Sequence, residues 1–322
     1  MPHPSTLRFA LCRVYVVTEL KTSLPIIDGV GPSSHWLPAG PWKTVLDFLK
    51  ERFPQIDVAL WTARMSRGEL VDEHGLRLNP ASPYREGACI FYYRELANET
   101  KIPFEETILY EDEHILVVDK PHFLPVLPAG RFLQETLLVR LRRQGKSDSL
   151  VPIHRLDRET AGVVVFSVNP KSRGQYASLF REQKVTKVYE ALAPAAEPLS
   201  KMTFPHTRRT RIVRGEPFFR MREIEGEPNS ETRIDAVKIV SMAGADATLY
   251  RLFPVTGKKH QLRLHLSALE IPILNDRLYP NYVRAVYKEN DFSKPLKLLA
   301  RSIRFEDPVT GSERHFESNR QL

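Results

Sequence analysis

Residues 152–167, "PIHRLDRETAGVVVFS", place the carboxylate of Asp157 between Arg155 and Arg158, directly before a β-branched run. Neighbouring guanidinium groups favour the ionised form of a carboxylic acid. An ionised carboxylate in a fixed loop can act as a nucleophile or stabilise a developing positive charge. A surface turn with a solvated ion pair would contain the same residues. Spacing alone favours the surface ion pair, and both interpretations stay open at this point.

A second segment, "PVTGKKHQLRLHL" at residues 254–266, groups Lys258, Lys259 and His260 where a helix is predicted to begin. The first turn of a helix offers free N–H groups and a positive dipole end, which favour a phosphate or a carboxylate. Arg263 lies within this helix and is able to pair with an acid from another loop. The alternative is a basic surface helix whose histidines are ordinary, partly buried residues.

Tyr189 lies in the predicted strand "VTKVYEALAP", two residues after Lys187. A buried tyrosine in a strand is usually a core residue whose hydroxyl finds a hydrogen-bond partner. Taken alone, Tyr189 therefore indicates no function.

A strongly basic run occupies residues 201–222, "KMTFPHTRRTRIVRGEPFFRMR". Its cations are opposed within the run only by Glu216, and phenylalanines are interspersed among them. Arginine combined with aromatic residues suits phosphate contact and base stacking. A solvated loop is the alternative, but clustering without intervening acids favours RNA contact.

Composition narrows the possible classes. The net charge is +8 and the pI is about 9.4, which fits a polyanionic partner. The only cysteines, Cys12 and Cys89, are far apart, so we expect no disulfide and a cytoplasmic location. No run approaches the roughly 20 apolar residues of a membrane helix. Phosphate-loop, dinucleotide-binding and metal-ligand spacings are absent, so we expect no cofactor and no metal.

The hydrophobic pattern predicts an α+β protein with a mixed, mostly antiparallel sheet. We divide the chain into an extended lead-in (1–40), a small α+β module (41–96) and a large domain (105–322), with residues 96–105 as the linker. The small module contains two predicted helices and short strands. In the order of its elements it resembles the S4-type RNA-binding domain, and a generic α+β appendage is the alternative.

Four segments of the large domain resemble the RluA family of pseudouridine synthases, in that family's order. "ILVVDKPHFLPVLPAG" resembles its entry strand and proline-rich loop, "HRLDRETAG" its catalytic loop, and "KVYEAL" its lysine–x–tyrosine strand. "TGKKHQLRLHL" followed by "PILNDRLYP" resembles its second long motif. The likeness covers about residues 105–310. Four ordered motifs outweigh the surface ion pair as an explanation of Asp157.

The resemblance implies isomerisation of uridine to pseudouridine in structured RNA. By position, Asp157 matches the catalytic aspartate, Tyr189 the tyrosine that stacks on the base, and Arg263 the arginine that pairs with the aspartate. The target uridine must leave its stack, at a cost of a few kcal/mol. We expect the following residues to contact RNA: Arg155, Arg158, Lys187, Arg208, Arg209, Arg211, Arg214, Lys258, Lys259 and His260.

The expected substrate is large-subunit ribosomal RNA, with transfer RNA as the alternative. We also expect a monomer that binds neither a membrane nor a nucleotide cofactor. A non-catalytic RNA-binding or ribosome-assembly factor on the same scaffold is the second hypothesis, against which the intact Asp157, Tyr189 and Arg263 argue. A hydrolase of free nucleosides lacks a convincing second carboxylate.

Overall fold

The computed structural model describes residues 24–96, 98–194, 202–242, 245–282 and 291–322. The chain divides into two compact units, Met1–Glu95 and Leu96–Leu322. Helices in the described ranges are all too short or too polar to cross a membrane.

The N-terminal unit contains strand β1 (Ser33–Trp36), helices α1 (Val45–Arg52) and α2 (Val58–Ser66), and strands β2 (Leu70–Asp72) and β3 (Cys89–Tyr92). The strands form an antiparallel sheet in the order β1-β3-β2. Thr44 and Asp47 cap α1 reciprocally, and Asp57 accepts a hydrogen bond from Ala59 N at the start of α2. Both helices were predicted. Phe48 and Leu49 of α1 and Trp61 of α2 are buried.

The prediction of residues 1–40 as an extended lead-in is wrong for the C-terminal part of that range. Ser33–Trp36 pairs with Cys89–Tyr92 as an edge strand, and Leu37 is buried. This strand is short, polar and flanked by proline and glycine, so its pairing with a partner over 50 residues away left no local pattern. Residues 1–23 of the lead-in lie outside the described ranges. The S4-like identity of the module remains a prediction.

The C-terminal unit carries one large sheet. Its elements are, in chain order, β4 (Thr107–Glu111), β5 (Ile115–Lys120), α3 (Leu137–Arg143), β6 (Val151–Pro152), β7 (Ala161–Ser167), α4 (Arg173–Arg181), β8 (Thr186–Pro194), β9 (His206–Arg214), β10 (Met221–Ile224), β11 (Ser230–Met242), β12 (Ala245–Pro254), α5 (Gln261–Ala268), β13 (Leu298–Glu306) and β14 (Glu313–Glu317).

The sheet order is β10-β9-β11-β12-β8-β13-β7-β5-β4, with β14 beside β13 and β6 beside β7. Among the described strands, β7 and β13 form the one parallel pair. The predicted fold class, α+β with a mixed and mostly antiparallel sheet, is therefore confirmed. The predicted hairpin is β11–β12, although its turn at 243–244 lies outside the described residues.

Three details refine the sequence analysis. The basic run 201–222 contains β9 and β10, so the solvated loop, which was the alternative to RNA contact, does not describe these residues. The strand predicted to close the chain, β13, is followed by β14. Helix α5 is not a surface helix, since its residues from Gln261 to Leu266 are all buried. Leu262 and Leu266 pack into the core as predicted, and Leu269 packs against its edge.

Candidate active site

Asp157 lies in the turn between β6 and β7, which local hydrogen bonds hold in place. Thr160 N donates to the Asp157 carbonyl at 3.1 Å. His154 accepts a hydrogen bond from Val165 N at 3.1 Å, and its ring stacks on Phe180. Burial lowers the pKa of His154 to about 3, so the imidazole is neutral at neutral pH and able to accept. His154 therefore anchors the turn.

Gly162 follows this turn where the backbone of β7 approaches β13 most closely. It pairs with Ala300 in the parallel register and has φ +113°. A Cβ atom at this position would lie 2.2 Å from the Ala300 carbonyl oxygen. Any other residue would clash with backbone and adopt a strained conformation, so glycine fixes the distance between the Asp157 turn and the central sheet.

Arg263 brings a buried guanidinium to the Asp157 carboxylate. Its Nη1 lies 3.5 Å from Asp157 Oδ2, as the sequence predicts, but its closer partner is Asp276. Nε and Nη2 of Arg263 donate to the two oxygens of Asp276 at 2.8 and 2.6 Å. The Arg263 side chain is 2% exposed and that of Asp276 1%, whereas Asp157 is 28% exposed. Asp276 thus holds the arginine, and Asp157 keeps one side open.

His260 completes the inner face of the site. It is the N-cap residue of α5, in the left-handed conformation (φ 57°). Its Nε2 lies 3.8 Å from Asp157 Oδ1, and its Nδ1 is 3.0 Å from the Tyr279 hydroxyl. Burial is the main cause that lowers the pKa of His260 to about 4, so the ring is uncharged at neutral pH. Its prediction as an RNA contact is therefore not matched by an exposed, charged position.

The electrostatics of the site keep Asp157 ionised. Burial alone would raise the pKa of Asp157. The neighbouring basic side chains His260, Arg263 and Lys259 outweigh burial and hold this pKa below its ordinary value. Because His260 is neutral at neutral pH, Arg263 and Lys259 supply the positive charge there. Asp157 therefore carries a full negative charge under physiological conditions.

Tyr189 lies on β8, opposite Ala300 of β13, and is partly buried. Burial and the charge of Asp157 both raise its pKa, so the hydroxyl is protonated. Lys187 precedes it by two residues on the same strand face. Burial lowers the pKa of Lys187, and its charge acts on His154. Lys187 thus belongs to the surroundings of the Asp157 turn.

Lys120 is a site residue that the sequence reasoning missed. Its side chain is fully buried at the end of β5, and its Nζ donates to the carbonyls of Pro121, Leu124 and Arg158 at 2.9, 2.8 and 3.2 Å. Lys120 therefore links the proline-rich loop to the Asp157 turn through these hydrogen bonds. Burial lowers the pKa of Lys120 to about 7. The available signal was a lysine at the end of a strand of buried apolar residues.

An exposed cationic rim surrounds Asp157. Arg155, Lys258, Lys259 and Arg214 are all exposed. Partial burial and the charges of Arg214 and Arg155 lower the pKa of Lys259, although Asp157 opposes this, so these groups share one electrostatic environment. Arg158 differs from them, because it pairs with Glu159 and lies over the Phe132 ring.

The predicted basic run is partly neutralised by neighbouring strands. Arg208 donates to both oxygens of Glu223 on β10, and Arg209 pairs with Glu231 of β11 at 2.9 Å. Glu223 directly follows the run and Glu231 lies farther along the chain, so a count of charges within residues 201–222 includes neither acid. Arg211 and Arg214 are exposed and have no ion-pair partner within the described part of the chain.

Comparison with known proteins identifies the class. The family profile described as RNA pseudouridylate synthase matches residues 114–268. The dual-specificity RNA pseudouridine synthase RluA of Vibrio vulnificus is 31% identical over 62% of this chain and 78% of its own length. The tRNA pseudouridine(31) synthase of Saccharomyces cerevisiae is also 31% identical over 62% of this chain, which spans about half (51%) of the yeast protein.

A solved structure agrees with the sequence comparisons. Human RNA pseudouridylate synthase domain containing 1 has a TM-score of 0.53 at 26% identity, over 66% of this chain and 84% of the human one. The chain belongs to the RluA family of RNA pseudouridine synthases, and it is therefore an isomerase. The predicted family is confirmed.

Proposed function

We propose that the protein converts specific uridines of structured RNA to pseudouridine, with Asp157 as the catalytic carboxylate. The observation that carries this proposal is the arrangement of Asp157, Arg263 and Asp276. Asp276 immobilises a buried guanidinium, which in turn holds a partly exposed, ionised carboxylate toward solvent. Such a preorganised charge acts on a substrate without reorganising during the reaction.

The chemistry requires one bond to be exchanged for another. The bond from N1 of uracil to C1′ breaks, C5 then bonds to C1′, C5 loses its proton, and N1 gains one. Positive charge develops at the sugar while the base departs, and the negative charge of Asp157 either stabilises it or attacks the sugar–base unit directly. Arg263 is a positioning residue, because it fixes the orientation of this carboxylate.

Tyr189 suits the role of a wall for the detached uracil. Its partly buried, protonated ring offers a flat apolar surface next to the charge of Asp157. The uracil must turn within the site without escaping, and a stacking surface restrains it. Because Asp157 lies in a turn close to the sheet, the target nucleotide must be flipped out of its stack to reach it.

We assign the contacts with the RNA backbone to the exposed rim (Arg155, Lys258, Lys259 and Arg214) and to the exposed Arg211. Arg158, Arg208 and Arg209 are engaged with carboxylates, and His260 and Lys187 are buried or partly buried near the turn. These five contribute to the shape of the site more than to phosphate binding. Large-subunit ribosomal RNA is the first substrate to examine and transfer RNA the second, the latter supported by the similarity to the yeast tRNA pseudouridine(31) synthase. Action as a monomer and a cytoplasmic location remain predictions.

The test is a map of pseudouridine in total ribosomal and transfer RNA from cells with and without this protein. We expect at least one uridine to be modified only when the protein is present, and the purified protein to restore the modification on extracted RNA. Identical maps, with RNA binding retained, would instead support the non-catalytic RNA-binding factor.

A further inference from the structure

The tip of the β9–β10 hairpin presents an aromatic ring to solvent. Among the described residues, Phe218 is the most exposed large hydrophobic side chain, at 73%. The loop is ordered by its own backbone, since Gly215 N donates to Arg220 O at 2.9 Å and Arg220 N to Pro217 O at 2.8 Å. The ring of Phe218 is therefore held outward by a defined loop.

The next residue, Phe219, has the opposite environment. It packs edge-on against Tyr282, with ring centroids 5.1 Å apart, and belongs to a small apolar cluster with Leu264 and Tyr279. Phe219 thus anchors the hairpin to α5 and the following turn. The ring of Phe218 meets that of Phe219 edge-on, with centroids 5.5 Å apart, but it is not part of this cluster and stays exposed. Its exposure therefore requires a separate explanation.

Positive charge and a recess lie beside this ring. Arg214 and Arg222 are exposed and have no ion-pair partner within the described ranges, and Glu216 is the one acid of residues 214–222. A cavity of about 310 Å³ opens between the hairpin and α5, and Arg220, Arg222 and Tyr279 are among its lining residues. The Nε atom of Arg220 is buried there and has no hydrogen-bond partner in the described ranges.

A chain of contacts joins this hairpin to the catalytic centre. Met221 N donates to the Tyr279 hydroxyl at 2.7 Å, the same hydroxyl lies 3.0 Å from His260 Nδ1, and His260 Nε2 lies 3.8 Å from Asp157. The Arg220 guanidinium stacks over Tyr279 as well. The hairpin is therefore fixed to the rim of the site, and what it binds lies close to the target uridine.

We propose that residues 214–222 bind a single-stranded nucleotide that flanks the target uridine, with Phe218 stacking on its base and Arg214 and Arg222 contacting phosphates. An exposed aromatic ring with free guanidinium groups on either side has the chemistry of a single-strand stacking platform. A base inside a duplex is already stacked, so it offers no free face to Phe218. This inference rests on the proposed function and adds a second contact site for the same RNA.

The test compares Phe218→Ala, Phe218→Trp and the control Ile239→Ala, which removes another exposed apolar side chain (64%) on β11. Binding is measured with a fluorescent single-stranded oligouridine and with a duplex of equal length. Phe218→Ala is expected to weaken single-strand binding about five-fold or more, with Phe218→Trp and Ile239→Ala close to wild type and duplex binding unchanged. Equal thermal melting of the variants verifies that each is folded.

Two results would overturn the inference: wild-type affinity of Phe218→Ala for the single strand, or an equal loss with the duplex. Release of tritium from RNA labelled at C5 of uracil is measured in parallel, because isomerisation expels that hydrogen. If the wild-type protein releases none from extracted RNA, the proposed function fails, whereas the binding comparison still tests the stacking site.

Discussion

Two arginines of this protein each lie between two aspartates, and only one of these arrangements leaves a carboxylate available. Arg263 bridges Asp276 and Asp157, and Arg314 bridges Asp307 and Asp112 at 3.0 and 3.3 Å. The second aspartates are similarly exposed, 28% for Asp157 and 22% for Asp112. Exposure therefore does not distinguish the two regions.

Hydrogen bonding does distinguish them. The carboxylate of Asp112 accepts bonds from His114 N and Ile115 N at 2.8 Å each, and from the Tyr110 hydroxyl at 2.9 Å. In the described part of the chain, the carboxylate of Asp157 has one hydrogen bond, the long contact with Arg263. Asp112 is saturated and holds a turn together, whereas the partly exposed Asp157 has unused acceptor capacity. This unused capacity supports Asp157, rather than Asp112, as the proposed catalytic carboxylate.

A large loss of rate is expected for Arg263→Lys, with Arg314→Lys as its matched control. Lysine retains the charge but loses the two-pronged geometry that binds Asp276. Arg263→Lys should lower the isomerisation rate by roughly 100-fold, while Arg314→Lys should act mainly on stability. Single-turnover tritium release and thermal melting measure the two effects.

The reaction rates of the wild type and of Arg263→Lys should also depend differently on pH. Because the pKa of wild-type Asp157 lies below its ordinary value, we expect no loss of rate from its protonation between about pH 8 and pH 5. Weaker contact with the guanidinium raises this pKa, so the acid limb of Arg263→Lys should move to higher pH. Unshifted pH profiles and equal rates in both variants would show that Arg263 does not position Asp157.

A smaller effect is expected on stability at two glycines with similar backbone conformations. Gly162, beside the Asp157 turn, has φ +113° and faces backbone at 2.2 Å, while Gly226, after β10, has φ +121° and faces a flexible arginine side chain at 3.3 Å. Gly226→Ala should cost about 1–2 kcal/mol of unfolding free energy for its conformation. Gly162→Ala should cost roughly 1–3 kcal/mol more because of the clash. Equal losses of unfolding free energy for the two variants in denaturant would contradict the close approach of Gly162 to the Ala300 backbone.

The smallest effect concerns the salt dependence of RNA binding. Arg214 and Arg222 are exposed and have no ion-pair partner among the residues that the structure describes, whereas Arg208 and Arg209 are matched by Glu223 and Glu231. Replacing the first two by glutamine should reduce the slope of log affinity against log salt by about 1.4 for single strands. Replacing the second two should change it less. The opposite ranking would place the phosphate contacts on Arg208 and Arg209.

The sequence predicts the elements around the site because each has a strong local pattern. The apolar run predicts β7, and the spacing of Leu262 and Leu266 predicts α5. The order of four motifs gives the positions of Asp157, Tyr189 and Arg263. The cap of α2 is also a local feature, since Asp57 directly precedes this helix.

The remaining features depend on register and burial, which the sequence does not encode locally. Asp276 was noticed near Arg263, but nothing in the spacing ranked it above Asp157 as the closer partner. Glu223 and Glu231 pair with arginines across neighbouring strands, and the register that brings them together was not predicted from the sequence. Lys120 is recognisable as a lysine at the end of an apolar strand, but its role is not evident from the sequence, because its three carbonyl partners come together only in the folded chain.

The most direct test of Asp157 exchanges the same atoms in both regions, by comparing Asp157→Asn with Asp112→Asn. We expect Asp157→Asn to lower tritium release from C5-labelled RNA by roughly 1,000-fold or more, with RNA affinity and melting temperature near those of the wild type. Asp112→Asn should retain the rate and lose about 1–3 kcal/mol of stability. A fully active Asp157→Asn variant would contradict the assignment of this carboxylate as the catalytic group.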